Sequence, residues 1–332
     1  MTSSAGFIPV VHAATVSRPD EIDTITAARS VAGAVARLGY ATEIIGLDHN
    51  LSGLETLPAR RPLLVFNLAD AVAGDCRLAP MVPARLDALR LPYTGARTGP
   101  WLDTLSKIVT KLRLAHAGLP TPEWSQDGTG LDPSLRVIVK PVFEHGSLGI
   151  DPDSVTRGAD AARKIAERSS RWGTEHFAEA YIDGREFAVA MMEGAGRVEV
   201  LPIRETLFHG FGDGAPRITD YDAKWTPGSQ PYLGTPRRFG IETEEPELAT
   251  ELKRLALACW SVFALDGYAR VDFRVDRADA PFILEVNTNP CLSDDAGFAA
   301  SAIEAGIGYD AMIGRVIEAS LRRLPRPEAL CV

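Results

Sequence analysis

Two periods of apolar and polar residues run along this chain. In the first hundred residues, short apolar runs at 8–13 ("IPVVHA"), 40–47 ("YATEIIGL") and 61–68 ("RPLLVFNL") predict strands. Residues 20–39 place apolar side chains at helical spacing, opened by Asp20 and stopped by Gly39. A further helix at 80–90 precedes "LPYTG" at 91–95. Strand–helix–strand order of this kind predicts a parallel sheet with helices on both faces, an α/β arrangement.

The remainder reads as α+β. Residues 100–122 predict one helix, ended by Gly118 and Pro120. At 136–150, two strand-like segments flank a glycine-bearing loop, so a hairpin is expected. A helix near 157–169 follows, and then 175–193 reads as two strands joined by the turn dipeptide Asp183-Gly184. Residues 197–205 predict another strand. The stretch 206–234, rich in Gly, Pro and Asp, predicts a long loop. A helix at 245–263, paired strands at 269–276 and 282–288, helices near 297–305 and 309–323 and a frayed tail "PRPEALCV" complete the reading.

Composition narrows the function classes. With 332 residues, 45% hydrophobic, the chain is long enough for two or three subdomains with cores of their own. A formal net charge of -9 argues against a general nucleic-acid binder, although a basic pocket for an anionic ligand is compatible with it. Cys76, Cys259, Cys291 and Cys331 are scattered without a CxxC pair, which argues against a zinc module or disulfide framework and favours a reducing compartment. The N-terminus lacks a basic start before a short apolar run, and no apolar stretch approaches membrane-spanning length. A cytoplasmic protein is expected, with no membrane partner. No GxGxxG follows the first strand, which removes a dinucleotide oxidoreductase.

The chemistry-bearing residues cluster in a few motifs. Asp272 in "ARVDF" and Glu285 and Asn287 in "EVN" can share one face of adjacent strands, because side chains alternate with period two. Two carboxylates and an amide oxygen suit Mg²⁺; the competing reading is a salt-bridged strand end neutralised by Arg270 or Arg274. Lys140 ends an apolar strand, followed at once by Glu144, Gly146, Ser147 and Gly149, where backbone N–H groups can approach a phosphate. Lys107 and Lys224 add cations; any of the three lysines has a solvated surface role as its alternative. Cys291 has no neighbouring His or Lys in sequence to activate it as a thiolate.

Taken in order, "YTG", "SK", "GLPTP", "VKP", "EAYIDGREF", "DYDAKW", "ARVDF" and "EVNTNP" resemble the ATP-grasp superfamily, and most closely the D-alanine–D-alanine ligase family, over roughly residues 60–323. The resemblance implies an ATP-grasp fold with an N-terminal Rossmann-like (pre-ATP-grasp) domain at 1–99, a central subdomain at 100–178 and a C-terminal subdomain at 179–332. It implies ATP and two Mg²⁺ ions as cofactors, with Mn²⁺ as a substitute. Lys107 and Lys140 would bind the phosphates beneath a 144–149 lid that includes Glu144 and Ser147. Glu179, Ala180 and Ile182 would read adenine through backbone groups, and Glu186 would hydrogen-bond the ribose. Lys224 would meet the γ-phosphate and Arg270 the tetrahedral intermediate. Asp272, Glu285 and Asn287 would hold the metal. At Cys291 the backbone N–H would serve the oxyanion. The implied reaction joins a small-molecule carboxylate to an amine through an acyl phosphate; a homodimer is also common in the family.

The substrate side departs from the family. Its glycine-rich N-terminal motif is replaced by "VHAATVSRPDEID", leaving Asp20 or Glu21 either to bind an amine or to serve as helix N-cap and first-turn acid. The tyrosine after the loop lysine is Trp225, the glycine after Pro290 is Cys291, and the acceptor-anchoring serine corresponds to Ala296. His209 lies in the expected lid; His12 and His145 are weighed with it against structural or solvent-facing roles. Asp294 is either an acceptor contact or a solvated acid. The expected substrate pair is therefore not two D-alanines. The rivals are a divergent D-alanine–D-alanine ligase and an ATP-binding regulatory or scaffold protein, the latter disfavoured by the retention of Arg270 with all three oxygen donors.

Overall fold

A computed structural model of the chain describes residues 6–14, 18–194 and 196–323. The expected frayed tail and Cys331 lie outside the described residues. Three sheets organise the rest. The first is parallel, in the order β2-β1-β3, from β1 (Val10–Ala13), β2 (Ile44–Leu47) and β3 (Phe66–Asn67). Alternation along β1 explains the expected helices on both faces. Val10 packs with Ala28 and Val31 of the helix Pro19–Arg37, while Val11 packs with Val82 and Leu86 of the helix Met81–Ala88.

The second sheet is antiparallel, in the order β4-β7-β5-β6, from β4 (Trp124–Ser125), β5 (Arg136–Pro141), β6 (Val155–Arg157) and β7 (His176–Ala180). Val137 and Val139 face Ala161 of the helix Ala161–Trp172. Ile138 and Lys140 point the other way, opposite Glu179 and Phe177 of β7. The strand partner of β5 is β6, so the glycine-bearing segment is not the turn of a tight hairpin. It is an irregular excursion ahead of β6.

The third sheet runs β11-β10-β8-β12-β13, with β9 also paired to β8; its strands are β8 (Arg185–Glu193), β9 (Val198–Val200), β10 (Arg204–Thr206), β11 (Arg237–Arg238), β12 (Tyr268–Val275) and β13 (Pro281–Asn287). One face is apolar: Phe187, Val189, Val271, Phe273, Ile283 and Val286 pack against Leu252, Leu255 and Cys259 of the helix Pro246–Val262. The other face is polar and lines a cleft.

Three expectations change. The predicted helix at 100–122 is two helices, Thr98–Leu105 and Lys107–His116, because Ser106 adopts an extended backbone and its hydroxyl accepts from Val109 N–H at 3.4 Å. Such a side-chain cap is worth about 1 kcal/mol. The break makes Lys107 the first residue of the second helix. Next, β7 and β8 are not a hairpin: Asp183-Gly184 lies where the chain leaves the second sheet for the third. The change of sheet falls at residues 181–184, whereas a boundary between 178 and 179 would divide β7. Finally, the 206–234 stretch carries two short helices, Tyr221–Trp225 and Gln230–Gly234.

Gly184 has a steric reason. A Cβ there would lie 1.9 Å from the Val275 carbonyl oxygen, and the Gly184 carbonyl accepts from Arg274 Nη1 at 2.9 Å. Gly184→Ala should lower unfolding stability by about 1–3 kcal/mol through this overlap, read as a lower urea midpoint at unchanged slope.

Candidate active site

The three sheets enclose a cleft of about 760 Å³. Its floor is the polar face of the third sheet, whose registers set side chains in rows. Arg204, Ala188, Asp272 and Glu285 are directly opposed across β10, β8, β12 and β13. Ala190, Arg270 and Asn287 make the next row, and Thr206, Glu186 and Arg274 the row on the other side. A β-bulge separates Asp272 from Phe273, so that Asp272 opposes Glu285 and Phe273 opposes Ile283. The extra residue, Leu284, reverses the alternation of β13. Ile283 enters the core, while Glu285 two positions later faces the cleft.

On this floor the expected oxygen donors do converge. Asn287 Nδ2 donates to Asp272 Oδ2 at 3.0 Å, and Arg270 makes a bidentate contact with Asp272 at 2.7 and 2.8 Å. Glu285 Oε1 lies 2.7 Å from His145 Nδ1. Burial opposes the Glu285 charge, but Lys107, His145 and Lys224 outweigh it and hold the carboxyl well below its ordinary range. Among the described residues, no three His, Cys, Asp or Glu side chains form a ready metal cage. Two carboxylates and one amide nevertheless fit Mg²⁺, which takes few protein ligands and leaves the others to phosphate and water.

The opposite wall is cationic. Lys107 Nζ donates to the Glu144 carbonyl, which ties the helix start to the glycine-bearing segment. Lys140 Nζ lies 2.5 Å from Glu179 Oε1, and Lys111 Nζ lies 2.5 Å from Glu179 Oε2. Burial pushes the Glu179 carboxyl up, yet the two ammonium groups together leave it lowered. The Glu179 side chain thus anchors two lysines, a role absent from its sequence reading; Ala180 and Ile182 continue along the cleft wall.

Gly146, Ser147 and Gly149 have φ of 67°, 66° and 70°. Among the described residues, no carbonyl accepts from their N–H groups. Three free donors in left-handed backbone make an anion cradle. The 206–234 segment is fastened over it: Trp225 Nε1 donates to the Gly146 carbonyl at 2.7 Å, Ser147 Oγ to the Thr219 carbonyl at 2.7 Å, and Tyr221 N–H to the Ile150 carbonyl at 3.2 Å. Lys224 enters the cleft from this lid. Burial pushes its ammonium down and Arg270 adds to that, against Glu285 and Asp272. Glu186 lines the cleft, with Oε1 accepting from Thr219 at 2.6 Å and Oε2 3.6 Å from Arg274 Nε.

On the substrate side the outcome is mixed. Glu21 Oε2 accepts from Arg18 N–H at 3.0 Å, the first-turn role, and Asp20 is held by Arg18 and by Tyr221 Oη at 2.8 Å. Both line the cleft. His209 and Asp294 do not: both are exposed, and Asp294 accepts from Ser30 at 3.3 Å. Cys291 is no nucleophile. Its thiol donates to Asp23 Oδ2 at 3.1 Å, and burial, then Asp23, pushes it up to about 12.

Asp23, Asp70 and Arg204 line the cleft and escaped the sequence reading. Asp23 was signalled by its place one helical turn after Asp20. Asp70 was signalled by following the carboxyl end of a parallel strand, where α/β sheets bind ligands. Arg204 gave no signal, since only the sheet register brings it to Asp272.

Comparison with known proteins agrees with this geometry. The family model "D-ala D-ala ligase C-terminus" matches residues 130–318. "Uncharacterized protein y4sG" of Sinorhizobium fredii is 33% identical over 306 residues, covering 89% of this chain and 88% of that one. A D-alanine–D-alanine ligase of Desulforudis audaxviator is 30% identical over 309 residues, covering 90% and 94%. In fold, the chain superposes on the D-alanine–D-alanine ligase of Bacillus anthracis complexed with ATP with a TM-score of 0.75 at 22% identity, covering 96% of this chain and 98% of that one. Among the described residues, no helix is long and apolar enough to cross a membrane. With the family model spanning more than half its length and the cleft built from that family's motifs, this chain belongs to the D-alanine–D-alanine ligase family of ATP-grasp, ATP-dependent carbon–nitrogen ligases.

Proposed function

We propose that the cleft joins an amino acid, or an amino-acid-like acid, to an amine by way of an acyl phosphate, and that the natural pair is not two D-alanines. The observation that carries this reading is the facing of two groups across one cleft. Arg270, Asp272, Glu285 and Asn287 lie on the floor, with Lys107, Lys140 and the free N–H groups of the glycine-bearing segment opposite.

In the first step a substrate carboxylate oxygen attacks the γ-phosphorus of ATP and ADP leaves. In the second the amine nitrogen attacks the acyl carbon, phosphate leaves and the amine gives up a proton. Both steps crowd anions together, so the cations must be in place beforehand. Lys107, Lys140 and the N–H groups of Gly146, Ser147 and Gly149 would take the phosphates. Ala180 and Ile182 would border the adenine, and Glu186 the ribose. Lys224 would meet the transferred phosphoryl group as the lid closes, and Arg270 the developing oxyanion. Divalent cations on Asp272, Glu285 and Asn287 would supply charge neutralisation for the phosphates. The Trp225 and Tyr221 contacts would keep water from the acyl phosphate.

Asp20, Asp23 and Asp70 on one wall support an amine-bearing donor. The Cys291 and Ala296 substitutions, with Arg204 beside them, support a changed acceptor. A divergent D-alanine–D-alanine ligase is the second reading, favoured by the 30% identity to the Desulforudis audaxviator ligase.

A screen of paired L- and D-amino acids with ATP and Mg²⁺ should release phosphate only when both partners are present, with product identified by mass spectrometry. Lys140→Ala and Glu285→Gln should each reduce that release by about a hundredfold or more; undiminished turnover in both variants would sink the ligase reading. Release stimulated by D-alanine alone would favour the second reading. With its pKa near 12, the Cys291 thiol should be thiolate in only about one molecule in 10⁵ at pH 7. Iodoacetamide at that pH should leave it unmodified, and Cys291→Ala should retain phosphate release.

A further inference from the structure

Behind the glycine-bearing segment, outside the cleft, lies a sealed cation. The helix Ala161–Trp172 turns Ala161, Lys164 and Arg168 inward, and the two cations share one face of it. Arg168 is only 1% exposed. Its Nη2 donates to the Gly149 carbonyl and to Asp151 Oδ2, each at 2.9 Å. Its Nε and Nη1 are buried without a hydrogen bond. Asp153 Oδ2, 3.5 Å from Nη1, is already held by Lys164 at 2.9 Å. A buried guanidinium satisfied on one nitrogen is a poor source of stability, and an apolar side chain would fill the space at lower cost. The reason for an arginine therefore lies in what Nη2 holds.

That is the turn presenting the free N–H groups. Gly149 has a φ of 70° and no Cβ, so the peptides beside it can flip at little steric cost. The peptide joining it to Ile150 is fixed at both ends. Its carbonyl accepts from Arg168, and its N–H donates to the Ser147 carbonyl at 3.0 Å. The Gly149 carbonyl is thus turned toward the buried helix face; in the cleft its negative end would oppose a phosphate. A Cβ on Gly149 would stand 3.6 Å from Trp172 Cδ2 and 3.8 Å from His176 Nε2, so the segment rests on the end of this helix and on β7. Burial holds the His176 imidazole below its ordinary range, Arg168 and Lys107 adding to that against the Thr174 carbonyl. The imidazole is therefore neutral at pH 7, and the cation gripping Gly149 is Arg168. The lid fastens the other half of the segment, at Gly146 and Ser147. Arg168 acts from the side that does not depend on the lid.

We propose that Arg168 is a positioning residue for the nucleotide phosphates: by holding the Gly149 carbonyl and Asp151 from behind, it keeps the N–H groups of Gly146, Ser147 and Gly149 aimed into the cleft. This rests on the reading that those N–H groups take the phosphates. Arg168 itself touches no substrate. Its loss would free the Gly149 carbonyl to turn toward the phosphates, and donors displaced by a fraction of an ångström bind an anion less well. Base and ribose lie against other residues, Ala180, Ile182 and Glu186, so their binding should not feel the change.

The test measures binding by calorimetry on the full chain with Mg²⁺, comparing ADP with adenosine, which has base and ribose but no phosphate. Wild-type protein should bind ADP about a hundredfold or more tightly than adenosine. Arg168→Met should weaken ADP by about ten- to hundredfold and leave adenosine within about twofold. Its melting temperature should stay close to wild type, because a partly satisfied buried charge is replaced by an apolar chain of similar size. Arg168→Lys keeps the charge without the planar fork, and its ADP affinity should fall between the two. In the phosphate-release assay KM for ATP should rise while the KM values of the other substrates hold. An unchanged ADP-to-adenosine ratio in Arg168→Met would overturn the positioning role and leave the phosphate reading intact. Equal weakening of both ligands with a sharply lower melting temperature would overturn it too, assigning Arg168 to the fold alone. Should Arg168→Met fail to fold, full ADP affinity in Arg168→Lys overturns the proposal by itself. Absence of any ADP preference in wild type would reject the phosphate reading of the segment, and the positioning role with it.

Discussion

The pairing of β12 with β13 is the constraint on which the site depends. One sheet must show an oily face to the helix Pro246–Val262 and a charged face to the cleft, and β13 supplies residues to both. With unbroken alternation, Ile283 and Glu285 would share a face. Either an acid would enter the core or an isoleucine would leave it. The bulge at Leu284 resolves the conflict by inserting one residue, and Glu285 then stands opposite Asp272. Arg270, Asn287 and the rest of the floor follow from that registration.

Charge in the cleft is arranged so that each buried group has an opposite, with the exceptions falling where a ligand belongs. Glu179 is sealed inside the protein and would be untenable alone, yet it holds Lys111 and Lys140 and so keeps the Lys140 ammonium at the end of its strand. Asp272 holds Arg270, and His145 reaches from the glycine-bearing segment to Glu285. Among the described residues, the cleft donors without a protein acceptor include the N–H groups of Gly146, Ser147 and Gly149 and the Arg204 Nε. Such unsatisfied groups cost stability in the free protein and are retained where binding repays them.

The lid shows the same economy. Trp225, Ser147 and Tyr221 bind it to the glycine-bearing segment through one side chain–backbone contact in each direction and one backbone pair. Tyr221 also reaches Asp20 on the first domain's helix. That segment is therefore tied to two walls of the cleft at once.

The amino-acid sequence alone was enough for the layered plan, the two helix-flanked faces of the parallel sheet, the polar acids on β12 and β13, and the ordered motifs of the family, because each depends on local period or on residues close in the chain. It also placed Lys107, Lys140 and the three oxygen donors among the cleft residues. It could not show that Ser106 breaks a helix, that β7 and β8 part into different sheets, or that Leu284 bulges, since the local patterns fit both outcomes. For His209, in the expected lid, and Asp294, just past the last motif, the sequence left substrate contact and solvent exposure both open, and the folded chain turns both to solvent. Arg204 was invisible for the opposite reason: nothing near it in sequence marks it, and only pairing across β8 and the approach of Gly297 bring it into the cleft. Local chemistry determined which groups were available; long-range registration decided which of them meet.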